Sequence, residues 1–393
     1  MHILFLPSWY PKSPSDIGGV FFRDQALALL NYGHKVGVIS PQMKSLRAFW
    51  GRSKKVTFPY FENDAGLPTY RKEVLASLPR LPYGNYWLFK HASRRLMADY
   101  VRDNGKPDII HAHSAILGGA AAVELGREWR IPIVLTEHSS GFARGIYMRW
   151  QLRLASVAIR STQSCVSVSP ALGELLNKKL STSDVFWRWI PNVVADRFGS
   201  PVRSNLKGRP IRFLNLALMT VNKGQKDLLK GFQQATEAGL VAELCLAGDG
   251  PIRTELEQLA SELGIADKVY FPGLIPPDEV PALLKGADVM VISSHYETFA
   301  VVAAEALMAG VPVVATRCGG PECIVLEGDG LLVQPKQPES LAEAMLTVGQ
   351  NLANYSPEEI ASRAKARFSG PAVARQLTKE YGRVLRNTGA ILV

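Results

Sequence analysis

The sequence predicts an α/β protein made of two doubly wound, parallel-sheet domains. Three observations predict it. Short apolar runs alternate with stretches of helical periodicity along the chain, the pattern of repeated strand–helix–strand units. The 393 residues exceed one ordinary domain and suit two of roughly 200. A stretch rich in Gly, Pro, Ser and basic residues, 199–210, reads as the linker between them. The expected domains are 1–198 and 199–370, followed by a terminal helical segment, 371–393. A hydrophobic content of 47% is ample for two cores.

The elements follow in order. In the first half, 3–6, 36–40, 108–111, 133–136 and 165–168 are apolar enough to be buried strands, with 21–30 and 87–101 among the helices between them. The second half repeats the scheme with strands at 211–216, 242–247, 268–271, 289–292 and 311–315. Two such domains place ligands at the carboxyl ends of their strands, facing each other across a cleft.

The most informative stretch is 293–314. A buried strand is followed by Glu297, Thr298, Phe299, Ala300 and Val301, then by an Ala-rich run containing Glu305 and ending at Gly310. Thr298 reads as the N-cap, which puts Glu297 at the turn and Glu305 about two turns into the helix. The amides at a helix N-terminus, carrying about half a positive charge, form a seat for an anion. Two carboxylates that accept hydroxyls then bracket a phosphate seat, which suits a diphosphate between two polyhydroxyl rings. An ordinary strand–turn–helix would leave Glu305 as a surface charge. Its apolar neighbours Ala303, Ala304, Ala306 and Leu307 argue against that, because an unpaired carboxylate there is costly.

Other groups fit the same chemistry. Gly18 and Gly19 follow the first strand and let backbone approach a phosphate without a Cβ in the way. Lys223-Gly224 follows the first strand of the second half, where a lysine can reach a diphosphate as a point charge. His138 lies just after a strand end. His111 and His113 alternate onto one face of a strand; a metal site there lacks an evident third ligand. Glu322 follows Gly319-Gly320-Pro321 in a loop or surface turn.

Taken together, the Glu297–Glu305 spacing resembles the E-x7-E motif of retaining GT-B glycosyltransferases of family 4. Gly18-Gly19 with Gly33-His34-Lys35-Val36, Lys223-Gly224, Ala247-Gly248-Asp249-Gly250-Pro251 and Phe271-Pro272-Gly273 match further landmarks of that family in order and spacing. The resemblance implies a GT-B architecture and a nucleoside-diphosphate-sugar donor. It implies catalytic roles for His138, Lys223 and Glu297. Donor contacts would come from Gly18, Gly19, Lys223, Gly248, Thr298, Phe299, Ala300, Val301 and Glu305. Glu297 would hold donor-sugar hydroxyls, Glu305 the ribose, and His113 would face the acceptor. The last helix would pack back on the first domain.

The sequence departs from the family at two positions. Leu218 stands where an arginine usually precedes the lysine by five residues; Lys226, Arg144 and Arg23 are candidate substitutes. Ala300 replaces a glycine, which is tolerable while φ stays negative.

The implied reaction retains anomeric configuration by front-face attack, the diphosphate leaving under the charge of Lys223 and helix N-termini. No cofactor and no divalent metal are expected, since no Asp-x-Asp occurs. The absence of G-x-x-x-x-G-K-[ST] argues against a P-loop NTPase. Leu218 keeps open a donor-binding subunit of low activity, and the architecture keeps open a nonhydrolysing nucleotide-sugar epimerase.

Charge divides unevenly. Residues 1–195 hold 25 Lys and Arg against 13 Asp and Glu, net +12, whereas 196–393 hold 20 against 22, net −2. The basic half suggests a polyanionic neighbour, an acidic membrane surface, a phosphorylated acceptor or nucleic acid; for the membrane surface, Arg47, Arg52, Lys54 and Lys55 around Phe49-Trp50 are the cations most suited to it. A lipid-linked or cell-surface glycan precursor is the expected acceptor. No recognisable module supports nucleic-acid binding. Four cysteines without metal-ligand spacing, and a first segment too short and uncharged for a signal peptide, point to a cytoplasmic protein, peripheral on the membrane's inner face.

Overall fold

The computed structural model describes residues 1–12, 16, 18–45, 60–78, 81–198 and 208–389. It divides into two compact units, Met1–Val193 with Gly370–Val393, and Val194–Ser369. The basic–aromatic segment with Arg47, Arg52, Lys54 and Lys55, and most of the linker at 199–210, lie outside the described residues.

In the first unit the described residues form an eight-stranded sheet. Its strands are β1 (His2–Pro7), β2 (Lys35–Ser45), β3 (Phe61–Asp64), β4 (Leu67–Ala76), β5 (Ile109–His113), β6 (Ile133–Glu137), β7 (Ser164–Ser167) and β8 (Trp187–Trp189). The order is β3-β4-β2-β1-β5-β6-β7-β8. Every pairing is parallel except β3 with β4. β1, β5 and β6 are apolar and almost wholly buried, as a sheet covered on both faces requires. Helix Val20–Asn31 packs against the chain's last helix, Gly370–Asn387, within this unit. Val373, Leu377, Tyr381 and Val384 of the last helix are fully or almost fully buried in the same core as Ile3, Phe5 and Phe22. Tyr381 Oη also hydrogen-bonds His111 Nδ1 at 2.7 Å.

The second unit contains a parallel sheet of β9 (Ile211–Leu216), β10 (Ala242–Ala247), β11 (Val269–Gly273), β12 (Val289–Ile292), β13 (Val313–Thr316) and β14 (Gly330–Val333). Their order is β11-β10-β9-β12-β13-β14. In both sheets the winding reverses beside the first strand, between β1 and β5 and between β9 and β12. Loops leaving the carboxyl ends of such neighbouring strands diverge and open a crevice, the usual ligand position of a doubly wound sheet.

Strands β3, β4, β8 and β14 were not evident in the sequence. β3 is mostly polar and β4 lacks a regular alternation of polar and apolar residues, β8 has three residues, and β14 is a four-residue Gly-Leu-Leu-Val run. Two aromatic residues near the start of helix Gly84–Asn104 have different surroundings. Phe89 is fully buried, while Trp87 is exposed and stacks on His91.

Candidate active site

The winding reversal of the second unit gathers the E-x7-E residues. β9 runs into a loop ending at Lys223-Gly224, and β12 runs into Ser293–Ala300. The two loops are tied together. Ser293 Oγ donates to Lys223 O at 2.8 Å, His295 N to Asn222 O at 2.8 Å, and Asn222 Nδ2 to Tyr296 O at 3.0 Å. Gly224 has φ +64°, and a Cβ there would meet Ser293 O at 2.0 Å, so only glycine allows this approach. Lys223 Nζ consequently reaches Glu297 Oε1 at 2.6 Å, and Ser294 Oγ donates to the same oxygen at 2.7 Å. Both charged side chains are largely but not wholly shielded from solvent, which strengthens the pair relative to one in open water.

Glu297 is further held by its backbone. Its N–H donates to Cys318 O and its carbonyl accepts from Gly320 N, each at 2.9 Å. This bridges it in parallel to the loop after β13. In that loop both Glu322 carboxylate oxygens accept the Gly319 N–H, at 3.0 and 2.8 Å. Glu322 thus shapes the turn that supports Glu297.

The helix after Glu297 starts later than the sequence suggests. It spans Val301–Met308, and its N-cap is Ala300, at φ +67° and ψ 65°, rather than Thr298. The expectation of negative φ at Ala300 is therefore overturned: the turn needs a left-handed residue, and Ala300 adopts that conformation with its Cβ in place. Val301 opens the helix, so Glu305 lies about one turn inside rather than two. Phe299 turns inward against Phe368, with ring centroids 5.9 Å apart, and serves the core. Glu305 is mostly buried and accepts from Arg197 Nη2 at 3.1 Å.

Arg197 was missed by sequence reasoning. It follows no motif and lies some hundred positions from its partner, so no local signal marks it. Two proposed substitutes for the arginine replaced by Leu218 are committed elsewhere. Lys226 pairs with Glu255 at 2.6 Å, and Arg23 grips Asp64 through two bonds of 2.7 Å. Arg144 ends the short helical turn Gly141–Arg144 of the first unit. Gly248, at φ +128°, gives its N–H to Gly273 O at 2.8 Å, and a Cβ there would meet Ala217 O at 2.0 Å. Its glycine identity is explained by this close packing of loops.

The winding reversal of the first unit holds the second group. Gly19, at φ +86°, is the N-cap of helix Val20–Asn31, and a Cβ on it would crowd Trp9 and Phe22. The Gly18 N–H is taken by Asp16 Oδ1 at 2.9 Å, so a carboxylate already sits against the glycine turn. At the end of β6, the Glu137 carboxylate accepts three backbone amides, Ala115 at 2.7 Å and His138 and Ser139 at 2.8 Å each. That staple fixes His138.

His138 and His113 share a hydrogen bond of 3.1 Å between Nε2 and Nδ1, under the rings of Phe21 and Phe22. Burial pushes His111 and His138 down to about 3 and His113 well below its ordinary value, with the neighbouring imidazoles adding to the effect on His111 and His113. All three are neutral near pH 7. His138 Nδ1 and His113 Nε2 are buried without a hydrogen-bond partner of good geometry, although the Asn192 side chain lies beside His138. Beside them Ser114, at φ +67° and ψ 126°, opens a five-residue π-helical turn, Ala115–Gly119. Strained backbone and π-turns concentrate at functional sites. A cavity of about 320 Å³ opens here, lined by Ser8, Trp9, Ser114, Phe142, Tyr147 and Trp150 among others. Among the described residues no group of three His, Cys, Asp or Glu side chains is arranged to hold a metal ion.

Comparison with known proteins agrees with this geometry. Residues 18–197 match the family model described as Glycosyltransferase Family 4, and residues 197–367 match Glycosyl transferases group 1. A Bacillus subtilis protein named as a glycosyltransferase of teichuronic acid biosynthesis is 27% identical over 99% of this chain and its own full length. An uncharacterized glycosyltransferase of Methanocaldococcus jannaschii is 29% identical over 87% of each chain. Among solved structures, sucrose-phosphate synthase from Thermosynechococcus elongatus superposes with a TM-score of 0.78 at 22% identity, covering 98% of this chain and 100% of its own. Anabaena HepE in complex with UDP-glucose gives 0.69 at 18% identity, with the same coverage. The two family models meet at Arg197 and together cover residues 18–367. The chain belongs to the family 4 glycosyltransferases of GT-B fold.

Proposed function

We propose that this enzyme transfers a sugar from a nucleoside-diphosphate sugar to a hydroxyl acceptor with retention of configuration and without a divalent metal. The observation that carries the reading is the Lys223–Glu297 pair at the winding reversal of the second sheet, beside the N-terminus of the helix that bears Glu305. Lys223 supplies a cation to the leaving diphosphate, and the first amides of Val301–Met308 supply partial positive charge to the same group. Glu297, once the lysine turns to phosphate, accepts donor-sugar hydroxyls. Glu305 exchanges the Arg197 contact for ribose hydroxyls. Both changes replace a charged hydrogen bond with another, so neither carboxylate is left bare.

His138 contributes as a neutral group. Its unpartnered, buried Nδ1 supports a role in hydrogen-bonding a sugar hydroxyl, and the Glu137 staple sets its backbone. The aromatic-lined cavity of the first unit is the candidate acceptor pocket. The net +12 over residues 1–195 supports an acceptor presented at an anionic membrane surface, such as a lipid-linked glycan precursor. That solved relatives hold UDP and UDP-glucose supports the donor class.

The test is transfer from a panel of nucleoside-diphosphate sugars to lipid-linked acceptors in EDTA, with the product's anomeric configuration read by NMR. Product with the donor's configuration is expected. Inverted product, or activity that returns only with magnesium or manganese, overturns the mechanism. Donor consumption without acceptor would instead indicate the epimerase.

A further inference from the structure

The exposed edge of the first sheet carries a second surface of unusual chemistry. β8 is the terminal strand, paired on one side only. Phe186, just before it, is 73% exposed, the highest value among the large apolar side chains of the described residues. Trp189 is 39% exposed. The indole N–H groups are used internally, Trp187 toward Asn177 Oδ1 at 2.9 Å and Trp189 toward Val168 O at 3.2 Å. The rings therefore offer solvent hydrocarbon, with no donor left for a polar ligand.

Cations surround them. Beside β8 lies a groove of about 630 Å³, bordered on its far side by Lys379, Arg383 and Arg386 of the last helix. An adjoining hollow of about 510 Å³ adds Arg160, which is paired with Asp184 of the same hollow. The groove's one carboxylate, Glu380, is nearly buried and already holds Arg188, Arg383 and the Ser164 hydroxyl. Lys379 and Arg386 make no ion pair among the described residues. Arg188 lies over the Phe186 ring, 5.2 Å from its centroid.

We propose that this edge, formed by Phe186–Trp189 and the cationic face of the last helix, is the surface on which the enzyme sits on an anionic lipid bilayer. Phe186 and the two indoles enter the headgroup boundary, while Lys379 and Arg386 face lipid phosphates. Tryptophan, phenylalanine and basic residues together are the composition of an interfacial anchor. A second copy of the chain would bring like charges face to face. An acidic polysaccharide would meet the same cations but offers little hydrocarbon to bury the projecting Phe186 ring. The proposal deepens the membrane-surface reading above and moves the contact from residues 47–55 to the sheet edge.

Vesicle co-sedimentation combined with hydrogen exchange on the full chain tests it. Vesicles of phosphatidylcholine with 30% phosphatidylglycerol should bind the protein at low salt and release it as salt rises. They should slow exchange at 185–190 and 376–387. Phe186→Ser with Trp189→Ser should lower partitioning at least tenfold, and Lys379→Ser with Arg386→Ser should flatten the salt dependence, both with unchanged thermal midpoints. The wild-type exchange map keeps the test decisive if a variant misfolds. Binding that survives both pairs but is lost in the Arg47, Arg52, Lys54 and Lys55 to Ser variant overturns the edge and leaves the membrane reading intact. No binding to anionic vesicles at low salt overturns both. Preference for a soluble acidic polysaccharide over the vesicles overturns the bilayer as partner.

Discussion

Glu297 and Glu305 share one motif but have different surroundings, and the proposed function gives them different work. Glu297 is gripped by Lys223 and Ser294 and by backbone bonds to the loop after β13, the restraint expected of a group that must hold reacting atoms in place. Glu305 is mostly buried inside a helix, with Arg197 against it. We expect Glu305→Gln to weaken nucleoside-diphosphate binding by about 1.5–3 kcal/mol, roughly tenfold to 150-fold, because a charged acceptor for ribose hydroxyls is lost. Glu297→Gln should lower turnover with little change in nucleotide affinity. Calorimetric titration of both variants beside their turnover decides this, and equal losses of nucleotide affinity would contradict the division. The spacing of the two glutamates made them legible in the sequence, as did the glycine after Lys223. Arg197 was not legible, since its role comes only from folding a distant segment onto the helix.

At the scale of elements, buried parallel strands were readable because each is a continuous apolar run bounded by turn residues. Strands β3, β4 and β8 were not, because half-exposed or very short strands carry little periodicity. The start of helix Val301–Met308 was misjudged for a related reason. Thr298 has good capping chemistry, but the chain must still turn after Glu297, and the turn is completed by Ala300 in the left-handed region. A non-glycine residue there costs about 1–2 kcal/mol, partly offset by the greater chain entropy glycine loses on folding. Ala300→Gly should therefore stabilise the protein by about 0.5–1 kcal/mol, a rise of roughly 2–4 °C per kcal/mol in the thermal midpoint for a unit of this size. A fall in the midpoint would contradict the positive φ.

Across the whole molecule, the first unit stores three neutral imidazoles in its core. The unfolded chain takes up protons at these groups below about pH 6.5, whereas in the folded chain His111 and His138 do so only near pH 3 and burial holds His113 well below its ordinary value. Their contribution is complete above pH 6.5 and is lost as pH falls toward 3, by about 1.4 kcal/mol per pH unit for each group. Burial raises the Glu137 carboxyl, which acts in the opposite sense, but one carboxyl does not offset three imidazoles. The thermal midpoint should fall between pH 7.5 and pH 5; equal midpoints would show that the imidazoles are not buried neutral. The two-unit α/β organisation was evident from strand–helix alternation. Which loops meet within a unit was not, because that depends on where each sheet reverses its winding.

The central claim is that the second unit binds a nucleoside diphosphate through Lys223 without a metal. Its most direct test is titration of UDP, GDP, TDP and ADP, and of the matching nucleosides, into wild type and Lys223→Ala in EDTA. At least one diphosphate should bind wild type in EDTA as well as it does with magnesium, and Lys223→Ala should lose tenfold or more for that diphosphate while keeping its affinity for the nucleoside. Binding that requires the metal, or an equal loss for diphosphate and nucleoside, would contradict the account.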